Sequence, residues 1–233
     1  MNIPPAVLWG ALVIALPLAL FGLAFIVGCF EKHPVRMFNA TQPFQLAPYS
    51  RAMLAKACGM GFVCRGHGNH TKFGDKLRAL VLRSSDGYVM AIIGEGTILG
   101  MPSKKTILIS RFNDDRTLLT VDEAGTGEID DKTTRQIIMH ADFEELVRKH
   151  YEKGHTIPGA VAFPPDAGWP EIDEIYRRRG DRIVARGLAT YVDDTRETFR
   201  YSPAGSFRLT IVHGIGQVLK PANFWRTHKP RPS

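Results

Sequence analysis

Four residues in one short stretch carry side chains that could do chemistry. Cys58, Cys64, His67 and His70 read C-x5-C-x2-H-x2-H, in a segment that also holds Gly59, Gly61, Gly66, Gly68 and Gly74. Thiolates and imidazoles are the ligands zinc prefers, and a glycine-rich loop over 60–74 could wrap an ion. The four residues are therefore a candidate metal site, and with it comes the reading of a metal-binding protein or metal-dependent enzyme. The spacing departs from the C-x2–4-C and H-x3–5-H of structural zinc sites. Two thiols this close also fit a disulfide in an oxidising compartment, or two ordinary buried thiols.

A second group is basic. Arg177, Arg178 and Arg182, with Arg179 and Arg186, share one helical segment, and Lys220, Arg226, Lys229 and Arg231 make a basic tail. Such patches attract the phosphates of lipid headgroups or nucleic acid. Arg177, Arg178, Arg182 and Lys229 are the candidate contacts to an anionic surface, with lipid favoured over nucleic acid. The plainer alternative is a solvated helix face, paired with Glu171, Asp173 and Glu174 one turn away.

Other patterns point away from familiar chemistry. Gly94-x-Gly96-x3-Gly100 follows a predicted strand, but a phosphate loop needs a helix directly after it. Thr97-Ile98-Leu99 and Pro102 read as strand instead, so these glycines mark bends or close backbone approach in a sheet. His150 lies on the inward face of its helix and reads as a hydrogen-bonded core histidine. Asp114-Asp115, Asp130-Asp131 and Asp193-Asp194 sit at predicted turns. G-x-S-x-G, H-E-x-x-H and Walker A patterns are absent from the sequence, which leaves no motif on which to name an enzyme. A helix over 170–186 followed by two strands has the outline of a winged helix. A DNA-binding module of that kind wants a preceding helix, and 155–169 is rich in proline.

These residues must be positioned by a chain of 233 residues with a net charge of +7. Ala6 to Phe30 contains no charged side chain over about 25 residues, long enough to cross a hydrocarbon core of about 30 Å. Residues 1–30 are accordingly expected to be a single-pass transmembrane helix acting as a signal anchor. A cleaved signal peptide has a shorter apolar stretch and a basic start. Ile26-Val27-Gly28-Cys29 resembles a lipobox, which would make Cys29 a lipidation site. Lys32, Arg36, Arg51 and Lys56 follow the run against Glu31 alone, so the C-terminal domain is expected on the cytoplasmic side. Three cysteines make no disulfide framework.

Residues 31–48 read as a proline-containing linker, and 49–233 as one globular α+β domain. Ser50 to Cys58 reads as a short helix ending near Gly59. Leu77–Arg83 and Tyr88–Ile93 flank Asp86-Gly87, and Thr106–Phe112 and Thr117–Val121 flank Asn113-Asp114-Asp115. Both are hairpin signals, and the middle of the domain reads as an antiparallel meander, with a further strand near 135–139. Asp142 and Glu145 form a capping-box-like start to a helix ending near Gly154. A second helix covers roughly 170–186, with Pro170 at its first turn. Leu188–Val192, Thr198–Tyr201 and Phe207–Val212 read as strands, with Pro203-Ala204-Gly205 as a turn between the last two. Strands, then helices, then strands predict α+β. The expected role is a membrane-tethered, non-enzymatic module that contacts a membrane protein or anionic lipid.

Overall fold

The computed structural model describes residues 15–16, 19, 22–23, 25–98, 100–122, 130–139 and 141–218, with only the backbone described at 98 and 211–218. The fold is α+β with a mostly antiparallel sheet. It divides into two units, one of them Pro34–Arg182 and the other built from the chain before Pro34 and after Arg182.

The unit Pro34–Arg182 is an eight-stranded sheet. Its strands are β2 (Phe38–Thr41), β3 (Val63–His70), β4 (Gly74–Arg83), β5 (Met90–Ile98), β6 (Met101–Phe112), β7 (Thr117–Val121) and β8 (Thr133–Ile137), in that spatial order. The short β9 (Ala160–Val161) pairs with Arg111 and Phe112 of β6. Neighbours from β2 to β7 run antiparallel, and β7 with β8 parallel. The central strands are apolar on both faces, as sheets covered on both sides must be. Ala79, Val81, Met90, Ile92, Ile107, Ile109, Leu119 and Val121 face one core, which Phe163, Trp169, Ile172 and Tyr176 complete. Leu80, Leu82, Ala91, Ile93 and Leu108 alternate to the opposite core.

Two helices cover that second face. Helix α1 (Pro48–Gly59) supplies Ala57, and helix α2 (Phe143–Gly154) supplies Phe143, Leu146 and Val147. The start of α2 is set by Asp142, whose carboxylate accepts from the Glu145 amide at 2.9 Å. Helix α3 (Trp169–Ala185) brings Trp169, Ile172 and Tyr176 to the first face. The β4–β5 turn is closed by its own side chains. Ser84 Oγ donates to Asp86 Oδ1 at 2.6 Å, the Tyr88 amide donates to the same oxygen at 3.0 Å, and Gly87 takes φ +79°.

The other unit holds a three-stranded sheet in the order β1 (Lys32–Pro34), β11 (Thr198–Tyr201), β10 (Ala189–Tyr191). His33 stacks on Phe199 at 5.7 Å and leans on Tyr201 at 4.9 Å. Helix α4 (Pro203–Val218) follows β11 directly. Ser202 caps it, accepting from the Gly205 amide at 3.2 Å through Oγ and from the Ser206 amide at 2.8 Å through its carbonyl. Every described residue between 15 and 30 is helical. Ser206 Oγ donates to the Phe25 carbonyl at 2.8 Å, and the Phe25 and Phe207 rings meet edge to face at 6.4 Å.

Three sequence expectations change. Residues 63–70 form β3 rather than a loop, because the alternate glycines Gly66 and Gly68 leave room for the Trp169 ring to pack on the strand. Residues 207–212 belong to α4 rather than a strand, since Ser202-Pro203 is a cap and first turn, not a bend. The stretch 31–48 is not a bare linker: it contributes β1 and β2 to the two sheets. Among the described residues no helix is both long and apolar enough to cross a membrane. Most of the apolar run 6–30 lies outside the described residues, as do Leu99, His140, Lys220, Arg226, Lys229 and Arg231.

Candidate functional site

The register of β3 separates the cysteine and histidine set. Cys64 stands opposite Leu82 and His67 opposite Leu80, while His70 stands opposite Phe38. Leu80 and Leu82 belong to the core under α1 and α2, and Phe38 to the core under α3. Cys64 and His67 therefore share one face, and His70 points from the other. Cys58 is exposed in the last turn of α1. Among the described residues, no group of three or more His, Cys, Asp or Glu is arranged to hold a metal ion.

Each of these side chains has a local environment of its own. His67 meets the Phe44 ring edge-on at 5.0 Å. His70 packs against Phe38 at 5.3 Å and Phe73 at 4.9 Å, and its Nδ1 accepts from the Lys72 amide at 3.0 Å. Burial, aided by the charges of Lys105 and Lys72, pushes the His70 pKa down to about 4, so the ring is neutral at physiological pH. Burial pushes the Cys64 thiol up from its ordinary value, and both Cys58 and Cys64 are free thiols. Gly68 sits under Trp169 so closely that a Cβ there would meet Cζ2 at 2.7 Å, and Trp169 Nε1 donates to the His67 carbonyl at 2.9 Å.

The arginines of α3 are engaged within the fold. Arg177 pairs with Glu174. Arg178 donates to Glu174 at 2.8 Å and to Asp115 at 2.7 Å. Arg182 reaches the fully buried Asp130 carboxylate, with Nη2 to Oδ2 at 2.6 Å and Nε to Oδ1 at 3.0 Å. Burial pushes the Asp130 carboxyl up, but the hydrogen bonds from Arg182 and Thr133 outweigh it and hold the pKa below its ordinary value. Arg177 and Arg178 remain exposed and could still meet an anion, whereas Arg182 is largely committed to Asp130.

Two polar networks carry perturbed groups, and the sequence did not single out the first of them. Tyr49 OH donates to Asp122 Oδ2 at 3.2 Å and lies 3.0 Å from Thr106 Oγ1, while the Thr106 amide donates to Asp122 Oδ1 at 2.8 Å. Burial raises the Tyr49 pKa to about 12 and raises that of Asp122 as well. Beside them the Ser50 amide, in the first turn of α1, donates to Glu95 Oε2 at 2.8 Å, so a carboxylate from β5 caps a helix whose own cap residue is Ala47. A half-buried carboxyl with raised pKa next to a neutral phenol is the arrangement that acid–base sites use. Here the Tyr49 hydroxyl and Thr106 amide engage it and fasten α1 to β6 and β7. The signal was one aromatic and one acid 73 residues apart, which no local pattern joins.

The second network is His150 under α2. Its Nε2 lies 2.9 Å from Ser110 Oγ and its Nδ1 2.8 Å from Thr120 Oγ1, and Ser110 Oγ donates to the Tyr88 carbonyl at 2.7 Å. Burial pushes the ring down to about 4, so one nitrogen donates and the other accepts. This is the core histidine expected from its helix position.

Comparison of the chain with protein-family models, with characterised proteins and with solved structures finds no match.

Proposed function

We propose that the chain is a membrane-tethered, non-enzymatic module, held in the bilayer by an N-terminal helix within residues 6–30 and meeting its partner at the membrane surface. The observation that carries the reading is the uncharged run Ala6–Phe30. Its described residues are helical, and Leu16, Leu23, Ile26, Val27 and Phe30 are exposed. Large apolar side chains left outward on a helix favour lipid over water. The partner is a membrane protein or the anionic headgroups themselves, which Arg177 and Arg178 suit as exposed cations. Lys32, Arg36, Arg51 and Lys56 favour the cytoplasmic side for the domain.

Two measurements on the full chain in cells test this. The chain should stay with the membrane through alkaline carbonate and leave it only in detergent; release by carbonate would sink the anchor. An impermeant maleimide applied to intact cells should spare the exposed Cys58 until the membrane is opened. Labelling of Cys58 before opening would reverse the orientation.

A further inference from the structure

We propose that helix α4 is a second membrane-contacting element, lying at the boundary of headgroups and acyl chains against the N-terminal helix. The proposal rests on the anchor reading and extends it. Ser206 is fully buried, and its hydroxyl donates to the Phe25 carbonyl at 2.8 Å. Gly28 meets Ser206 where any side chain on residue 28 would collide with it. Phe25 and Gly28 both lie inside the uncharged run, so the medium around that run also reaches the start of α4. Small residues and a hydroxyl at a close helix contact are the means by which helices pack in lipid.

The polarity of α4 points the same way. Positions 206, 210, 213 and 217 carry Ser, Thr, His and Gln at spacings of four, three and four, which is one helical face. The remaining positions include Phe207, Leu209, Ile211, Val212, Ile215 and Val218, with Arg208 as the cation. On a helix packed in water the covered face is apolar and the open face polar. Here the covered position is Ser206, and Phe207 beside it is 51% exposed. An exposed phenyl ring beside the exposed Arg208 suits a helix whose open side meets the boundary of hydrocarbon and headgroups. Sixteen residues span about 24 Å, short of the roughly 30 Å of a hydrocarbon core, so α4 lies along the boundary rather than crossing it. The sequence beyond it supplies Phe224 and Trp225, then Arg226, Lys229 and Arg231, the residue types that favour headgroup depth.

The test uses the full chain with Cys29, Cys58 and Cys64 replaced by serine, reconstituted in liposomes of mixed neutral and anionic phospholipid. Single spin labels go on Leu16→Cys in the anchor, on Phe207→Cys, Ile211→Cys and Ile215→Cys in α4, and on Thr195→Cys in the exposed β10–β11 turn. Collision with oxygen, which concentrates in lipid, is compared with collision with a water-soluble nickel chelate. The expected result is an oxygen-to-nickel ratio several-fold higher at 16 and at two or more of the α4 positions than at 195. Lipid exposure at 16 with water-like ratios throughout α4 overturns this proposal and leaves the anchor standing. Labels in α4 shielded from both reagents overturn it too, since a protein surface then covers the helix. Water-like ratios at 16 as well overturn the anchor and this proposal together.

Discussion

Arg182 grips Asp130 with two nitrogens, Nη2 at 2.6 Å and Nε at 3.0 Å, across 52 residues of chain. The carboxylate has no exposed surface, and the guanidinium is about a fifth exposed. Breaking such a pair from one side leaves a charge buried without its counterpart, at a cost of about 3–5 kcal/mol. Arg182→Met should fall near the lower end of that range, because the arginine is partly solvated. Urea unfolding of the full chain in detergent measures it, and a loss under about 1 kcal/mol would mean that the Thr133 hydroxyl and solvent suffice for Asp130. The Asp130 pKa is depressed in the fold, so the pair's contribution is present above the ordinary carboxylate pKa of about 4. It is lost as pH falls through the lower folded value.

His150 titrates in the opposite sense to a salt-bridged histidine. Its folded pKa of about 4 lies below the unfolded value of about 6.5, so between these the unfolded chain binds more protons. Stability should therefore fall as pH drops from about 6.5 to about 4, by up to about 3 kcal/mol from this residue. His70, partly buried and also near 4, acts in the same window. His150→Gln should flatten part of the slope of unfolding free energy against pH. An unchanged slope would assign the whole effect to other groups.

The Trp169 ring leaves no room on β3. A Cβ at Gly68 would meet Trp169 Cζ2 at 2.7 Å and the Asn39 carbonyl at 3.0 Å. Gly68→Ala should cost about 1–3 kcal/mol, the usual range for overpacking. Gly100→Ala, at the β5–β6 tip with open space around it but φ +79°, isolates backbone strain as a comparison. Thermal melts of the two variants separate a steric cost from a conformational one.

The two domain thiols should react at different rates. Cys58 is exposed at the end of α1, whereas Cys64 is half-buried and its thiol is pushed up by burial. Thiolate is the reactive form and the Cys64 side chain is the less accessible, so a maleimide at neutral pH should modify Cys58 first. Equal rates in the folded chain would show that β3 opens readily in solution.

The strands joined by short turns were legible because their turns carry their own chemistry. Asp86-Gly87 and Asn113-Asp114-Asp115 close by local hydrogen bonds, and Asp142 caps α2 with a partner three residues on. What stayed hidden depends on distant partners. Gly66 and Gly68 read as loop residues, since the Trp169 ring that packs against both lies about a hundred residues away. Asp130 looked like a turn residue until Arg182 was brought to it. Phe207 to Val212 has the composition of a strand, and β-branched residues are helix-tolerant where packing favours it. There the Ser202-Pro203 start was the better guide, and the apolar run masked it. The cysteine and histidine spacing was read along the chain, where a strand's alternation sends His67 and His70 to opposite faces.

The hydrogen bond from Ser206 to Phe25 spans 181 residues of sequence. At a synthesis rate of about 5–20 residues per second, the partner of the first helix emerges roughly 10–35 s after that helix does. The strands β2 to β9 are made wholly within that interval, and most of their pairings join neighbours in sequence. The large sheet can thus complete while Gly28 still lacks its partner, and only the later synthesis of α4 brings Ser206 to it.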